Sequence, residues 1–268
     1  MPRSRTNGVE IYYQTAGEGP PLVLIHAIPF DHDFWLYQTA HFSTWFKVIA
    51  VDIRGWGRSE KVTTAFSLKD MCDDVWGVCQ DLGVDGGVDE AVVMGCSIGS
   101  KMALMLGLDH PETFKAVVLV GGNSGPQDMD RRVEGYLSEE LAPYRADHLR
   151  HGERDAFNQS HLGRHLLQTF SERNDWLDNK AIAEVFRALG AADVRDRLGS
   201  FRTPTLIING EFDSARAGGT RTAGLIAGAV QKILPAMGHA CNLEDPAGFD
   251  EVVINFLTEQ GLMPPLAP

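Results

Sequence analysis

The sequence predicts an α/β fold, in which a mostly parallel sheet is flanked by helices and carries a helical insertion. Short runs at 22–25, 91–94 and 116–120 are apolar throughout, as in strands that are buried on both faces of a parallel sheet. Segments whose apolar residues recur at helical spacing separate these runs. This alternation predicts right-handed crossovers between parallel strands.

The other elements follow from the same patterns. Before the insertion we expect an edge strand at 9–15, a helix at 34–46, a buried strand at 47–52, and a helix at 67–82 that Ser67 caps. After the insertion we expect strands at 205–209 and 230–234, a helix at 218–227 and a last amphipathic helix that ends at Leu257.

The insertion spans residues 122–203, where no strand-like run occurs. Segments at 131–142, 155–170 and 179–189 look helical, and we expect them to lie over the sheet as a cap. Residues 1–121 and 204–268 then form the core. Because the cap is closely interleaved with the sheet, we expect core and cap to be a single structural unit.

Composition and net charge disfavour two kinds of partner. The chain has 268 residues, of which 44% are hydrophobic, and a net charge of −12 disfavours nucleic acid and anionic membranes. No apolar run reaches the ~18 residues of a membrane span, and the N-terminus lacks the apolar stretch of a secretory signal. We therefore expect a cytoplasmic protein with reduced cysteines. We also expect a small-molecule substrate, a monomer or homodimer, and no bound metal or cofactor.

The most informative motif is Gly95-x-Ser97-x-Gly99, at the corner between a predicted strand and a predicted helix. Glycines on both sides permit a turn so tight that neighbouring Cβ atoms would collide, which leaves the Ser97 hydroxyl exposed. The helix that follows directs its N–H groups and positive dipole end at this point. A serine in such a place can also be a simple helix cap, so the prediction depends on the partners of Ser97.

Two further residues make Ser97 a candidate nucleophile. Asp213 and His239 each follow a predicted strand, and they appear after Ser97 in the order nucleophile, acid, histidine. An imidazole can take the serine proton, and a carboxylate can hold that imidazole in the required tautomer. Asp128 and Asp31 are alternative acids that fit the position less well.

A tetrahedral oxyanion needs two hydrogen-bond donors. The backbone N–H of Ile98, next to the nucleophile, is one candidate. The loop after the strand at 22–25 should supply the other, with Ile28 preferred over Ala27. We expect His26 to shape this loop by hydrogen bonds rather than to act as a base, and the polar loop 52–59 to be held by structural ion pairs.

Together with three other motifs, these residues indicate a resemblance to a known family. The chain resembles the α/β-hydrolase superfamily over essentially its whole length, through His26-Ala-Ile-Pro with Trp35, Asp52-x-Arg-Gly-x-Gly-Arg-Ser59, Gly95-x-Ser97-x-Gly99, Asn209-Gly-x-x-Asp213 and Gly238-His239. The resemblance implies an eight-stranded, mostly parallel sheet with the cap inserted after the sixth strand, and a serine triad. The chain departs from the family pattern at Ala27, where a glycine is usual after the histidine.

The C-terminal third is similar to 3-oxoadipate enol-lactonases and small esterases, through Asp213-Ser-Ala, Leu225-Ile-Ala-Gly-Ala229, His239-x-x-Asn242-Leu-Glu244 and Phe249. An enzyme of that kind must bind a carboxylate, so a cap arginine is expected to face Ser97. The expected pocket residues are Ala27, Phe30, Trp35, Cys96 and Ile98 from the core and His161, Trp176 and Phe186 from the cap.

The sequence favours a cofactor-independent hydrolase that cleaves a carboxylic ester or lactone through an acyl-enzyme. Hydrolysis of a carbon–carbon bond beside a ketone, with the same triad, is an alternative. A binding protein that keeps the fold without turnover is a second alternative. Chemistry that needs a carboxylate nucleophile is disfavoured because the elbow carries Ser97.

Overall fold

An eight-stranded sheet forms the centre of the molecule. The computed structural model describes residues 2–5, 7–84, 90–151 and 155–265. The strands lie in the order β1-β2-β4-β3-β5-β6-β7-β8, and their bounds are Arg3–Ser4 (β1), Ile11–Ala16 (β2), Pro21–Ile25 (β3), Lys47–Val51 (β4), Ala91–Cys96 (β5), Phe114–Val120 (β6), Thr205–Gly210 (β7) and Val230–Leu234 (β8). Only the pairs β1/β2 and β2/β4 are antiparallel, so the predicted mostly parallel sheet is confirmed.

The apolar runs behave as the sequence predicted. Every residue of β3 and β5 is buried, because helices cover both faces of the sheet. Two apolar clusters lie on the two faces. The two-residue strand β1 was not predicted, since a strand of that length has no period to detect.

Helices connect the strands. Their bounds are Leu36–Phe42 (α1), Leu68–Asp81 (α2), Ile98–Asp109 (α3), Asp130–Ser138 (α4), Leu141–His151 (α5), Asp155–Gln159 (α6), His161–Ser171 (α7), Asn179–Ala191 (α8), Arg216–Leu225 (α9), Cys241–Glu244 (α10) and Pro246–Glu259 (α11). Ser67 caps α2 as predicted, in a capping box with Asp70. The predicted helix at 34–46 is shorter at both ends, because a 3₁₀ turn at His32–Trp35 precedes α1 and turn residues follow it from Ser43. None of the helices described is long and apolar enough to cross a membrane.

The helices α4 to α8, here named the cap helices, lie between β6 and β7 in the chain. The predicted helix at 155–170 is two helices, because Ser160 breaks the run and caps α7 by accepting the N–H of Gly163. Lys101 of α3 binds the chain on either side of the cap helices. Its ammonium group, on a side chain that is 1% exposed, donates to the carbonyls of Gly125 at 2.6 Å and Ala192 at 3.1 Å.

The loop at 52–59 is held by ion pairs and hydrogen bonds, as the sequence suggested. Arg54 forms a buried pair with Asp74 of α2. The Asp52 carboxylate accepts the backbone N–H groups of His32 and Arg58, each at 2.7 Å. These bonds fix the loop that follows β4.

Candidate active site

Ser97 sits on a strained corner between β5 and α3. Its backbone has φ 56° and ψ −115°, which few residues other than glycine adopt. A Cβ on Gly95 would lie 2.0 Å from the carbonyl oxygen of Gly99, and one on Gly99 would lie 2.2 Å from that of Ile25. Only glycine fits at both positions. Ser97 forms no side-chain capping bond to α3, so the reading of this serine as a helix cap does not apply.

His239 and Asp213 form a hydrogen-bonded pair after β8 and β7. The Nδ1 atom of His239 lies 2.7 Å from Oδ1 of Asp213, whose side chain has no exposed surface. Asp213 also accepts the backbone N–H of Ala215 and the side-chain amide of Asn209, both at 2.8 Å. These donors fix the carboxylate, so it can orient the imidazole.

The pair perturbs both pKa values. Burial alone would raise the pKa of Asp213, but the hydrogen bond and charge of His239 outweigh it and hold the pKa below its ordinary value. Burial alone would lower the pKa of His239, but the bond to Asp213 and its negative charge raise it above 6.5. The carboxylate therefore stays ionised, and the imidazole is a stronger base than a free histidine.

The other two acids weighed for this position lie elsewhere. Asp31 pairs with Arg173 at 2.6 Å and accepts the backbone N–H of Asp33. The Asp128 carboxylate accepts the backbone N–H of Asp130. Asp213 is thus the carboxylate, of the three, that the fold brings to His239.

The loop after β3, residues 26–31, is here named the oxyanion loop because it contains Ile28, which the sequence predicts as an oxyanion donor. Ile28 lies at the same cavity as Ser97, and the N–H of Ile98 is at the first turn of α3. Across the described residues, no protein group accepts the backbone N–H of Ile28 or Ile98. His26 is fully buried, and its ring accepts the N–H of Ile53 and donates to the carbonyl of Ala27. Both its nitrogens are therefore used to shape the loop.

Ser97 and His239 line one cavity of about 200 Å³ between the sheet and the cap helices. Its walls combine an apolar part and a polar part. Apolar groups come from Ala27, Ile28, Pro29, Phe30, Phe34, Met129, Phe186 and Leu189. Polar groups of the cap region come from Gln127, Arg132 and His148. The hydroxyl of Tyr136 lies 2.8 Å from Nδ1 of His148. Because burial raises the pKa of Tyr136, that phenol stays protonated and can donate a hydrogen bond to the imidazole.

Of the eight residues expected at the pocket, Ala27, Phe30 and Phe186 line this cavity, and five others do not. Ile98 is one of these five, because its side chain is fully buried in an apolar cluster of the core. Trp35 has no exposed surface and packs edge-on against Phe34, and Cys96 is buried in the apolar cluster on the same face of the sheet. His161, at the start of α7, is exposed because that helix turns its apolar side inward. Trp176 does not line the cavity, and the guanidinium groups of Arg58 and Arg173 lie 5.0 and 5.5 Å from the centre of its ring.

Sequence reasoning missed Gly121, which directly follows β6. Its backbone has φ +59°, and a Cβ there would lie 2.4 Å from Cε1 of His239. The ring of His239 rests against this glycine. A glycine at the end of a strand, where catalytic groups gather, was the available signal. Arg132 and His148 had no comparable signal, because many polar residues of the insertion could equally have faced inward.

Asp31, His32 and Asp52 bring possible metal-ligand atoms within 4.8 Å of one another. These atoms already bind one another and the protein. Nδ1 of His32 lies 2.8 Å from Asp52, and Asp31 is neutralised by Arg173. The donor set is thus used for hydrogen bonds within the fold.

A family model for the alpha/beta hydrolase fold matches residues 20–244. The chain belongs to the α/β-hydrolase family. This α/β-hydrolase is 26% identical, over 89% of its length and 88% of the relative, to 3-oxoadipate enol-lactonase 1 of Acinetobacter baylyi. The expected resemblance to enol-lactonases is confirmed by this match.

Solved structures of hydrolases have the same fold. The enol-lactonase of Burkholderia xenovorans LB400 superimposes with a TM-score of 0.86 at 26% identity, over 96% of this chain and all of that one. An enzyme that degrades N-acyl homoserine lactones superimposes with a TM-score of 0.81 at 28% identity, over 95% of this chain and all of that one. The α/β-hydrolase described here is therefore an enzyme of a family whose members include lactonases.

Proposed function

We propose that this α/β-hydrolase cleaves a small carboxylic ester or lactone through an acyl-enzyme, with Ser97, His239 and Asp213 as its catalytic triad. The carrying observation is the 2.7 Å bond between His239 and the buried Asp213, with His239 at the same cavity as the strained Ser97. A buried carboxylate paired with an imidazole contributes little to the stability of the fold. At a cavity, it raises the pKa of the imidazole, as proton transfer requires.

The proposed reaction begins when the Ser97 Oγ attacks the carbonyl carbon and its proton passes to Nε2 of His239. The N–H groups of Ile28 and Ile98 hold the oxygen that becomes negative. When the tetrahedral intermediate collapses, His239 returns the proton to the departing alkoxide or enolate oxygen. Water then attacks the acyl-enzyme by the same route and releases the acid.

The substrate is proposed to carry a carboxylate away from the bond that is cleaved. Arg132 supplies a positive charge at the cavity, and His148 and Gln127 supply further polar contacts. The cavity lining also includes apolar side chains, among them Phe30 and Phe34. A small anionic ester or lactone has a charged end and an apolar body that match these walls. The similarity to enol-lactonases supports the same class.

The first experiment compares the wild-type enzyme with Ser97→Ala on p-nitrophenyl acetate. Hydrolysis that depends on Ser97 supports the proposal. If the enzyme ignores esters and instead cleaves a vinylogous diketone, the carbon–carbon hydrolase is the better assignment. A ligand that binds tightly with no turnover of either compound would identify a binding protein.

A second experiment tests whether the substrate carries a carboxylate that Arg132 binds. Arg132→Gln should raise KM for the monomethyl ester of a dicarboxylic acid by about 10- to 100-fold, the effect of ~1.5–3 kcal/mol from a charged hydrogen bond. Its activity on neutral p-nitrophenyl acetate should change little. Arg131→Gln is the matched control, since Arg131 is exposed on the same helix and does not line the cavity. An equal effect of Arg132→Gln on the charged and neutral substrates would contradict the assigned role.

A further inference from the structure

Arg145 of α5 is a buried cation that contacts the oxyanion loop. Its side chain is 1% exposed, and its Nη2 and Nε atoms both donate to the carbonyl oxygen of Pro29, at 2.8 and 3.2 Å. Nη1 donates to the carbonyl of Phe170 and to the side chain of Asn174. In the described part of the chain, no carboxylate pairs with this guanidinium. Burial lowers the pKa of Arg145 to about 10, so it is charged at neutral pH.

The Pro29 carbonyl begins a continuous path of hydrogen bonds. It shares a peptide group with the N–H of Phe30, which donates to the carbonyl of Ala27 at 3.1 Å. The Ala27 carbonyl in turn shares a peptide group with the N–H of Ile28. The path from the guanidinium to the N–H that is proposed to hold the oxyanion therefore runs through two peptide groups. Nδ1 of His26 lies 2.8 Å from the same Ala27 carbonyl and adds a second donor to it.

Successive hydrogen bonds along a path of this kind polarise one another. A cation on a carbonyl oxygen draws electron density through the peptide group and makes its N–H a stronger donor. That N–H then acts in the same way on the next peptide group. The effect is largest where water is excluded, and every residue from His26 to Phe30 is buried.

We propose that Arg145 is a positioning residue of the oxyanion hole, which both fixes the oxyanion loop and strengthens the Ile28 N–H through the Phe30–Ala27 hydrogen bond. The catalytic consequence rests on the proposed function, because the N–H acts on an oxyanion only if Ser97 attacks a carbonyl. The polarisation of the Ile28 amide does not depend on turnover. A cap helix is thereby part of the catalytic apparatus and not only a lid over it.

The competing explanation is that Arg145 only holds the cap helices and the oxyanion loop together, without changing the Ile28 N–H. Arg173 provides the control for this explanation. Arg173 also links the cap to this part of the chain, through Asp31 at 2.6 Å and Asp33 at 2.7 Å. It forms no bond with Pro29 or Ala27. Arg173→Met removes a similar tie without touching the hydrogen-bond path.

The experiment measures kcat, KM, thermal stability and inhibition by a trifluoromethyl ketone for Arg145→Met, Arg145→Lys and Arg173→Met. Removing a whole oxyanion donor lowers kcat by about 10²–10³-fold, so weakening one should lower kcat by roughly tenfold. We expect that decrease in Arg145→Met with KM nearly unchanged, and an equal loss of affinity for the ketone. Arg145→Lys, which keeps the charge, should retain more of kcat. Arg173→Met should retain kcat.

A second measurement is independent of activity. In protein labelled with ¹⁵N-isoleucine, the Ile28 amide proton, assigned with Ile28→Val, should move upfield in Arg145→Met and remain in place in Arg173→Met. If Arg145→Met does not fold, Arg145→Lys should show smaller changes in the same direction. An unchanged Ile28 resonance in both Arg145 variants overturns the inference, as does an equal loss of kcat in Arg145→Met and Arg173→Met. If no turnover depends on Ser97, the proposed function is refuted. The chemical shift of the Ile28 amide proton then still tests whether Arg145 polarises that amide.

Discussion

Gly121→Ala tests the geometry of the candidate site with the smallest possible change. The new Cβ would lie 2.4 Å from Cε1 and 2.7 Å from Nδ1 of His239. Carbon atoms in contact prefer separations of about 3.5–4.0 Å, so the ring must move by roughly 1 Å or more. Such a shift breaks the alignment of the 2.7 Å bond to Asp213. Misplacement of a catalytic group by about 1 Å can lower the rate about 10²-fold, and we expect a decrease of that order in kcat.

The backbone conformation contributes separately to this variant. Gly121 has φ +59°, and a non-glycine residue there loses roughly 1–2 kcal/mol of stability. Gly228→Ala is the matched control, because Gly228 has φ +81° and an alanine methyl group there would meet no atom within 4 Å. Both variants should lower the Tm, but only Gly121→Ala should lose activity on p-nitrophenyl acetate. Equal activity of the two alanine variants would refute the assignment of His239.

Three other outcomes are expected. Because the pKa of His239 is raised and the base must be neutral, kcat/KM should increase with pH through a midpoint above 6.5. Asp213→Asn removes the charge that raises this pKa, so the midpoint should move to lower pH and kcat should decrease by up to about 10⁴-fold. Asp128→Asn should change neither, and the reverse result would reassign the acid. Lys101→Met leaves buried carbonyls without their donor and should lower the free energy of unfolding by about 2–4 kcal/mol, whereas exposed Lys69→Met should have little effect in the same denaturant titration.

Local patterns predicted most of the fold. The strand at 91–94, the elbow glycines and the cap of α2 were readable because each depends on neighbours in the sequence. The break at Ser160 was not predicted, since its capping bond to Gly163 competes with a helical pattern that continues through it.

The same distinction applies to the candidate site. The order of Ser97, Asp213 and His239 predicted which side chains could meet, because strand ends in a parallel sheet share one edge. The sequence left Asp31 and Asp128 open as alternatives to Asp213. Only the tertiary structure decided between them, because a hydrogen bond depends on where each loop directs its side chain.

The sequence by itself therefore determined the sheet apart from β1, the corner that holds Ser97 and the family of the protein. The tertiary structure decided which cap residues face the cavity. It placed Arg132 there, left His161 and Trp176 outside, and set Arg145 against the oxyanion loop. The physical reason is that periodicity reports which side of a helix is apolar. The direction of a single polar side chain depends on how that helix packs against residues distant in the sequence.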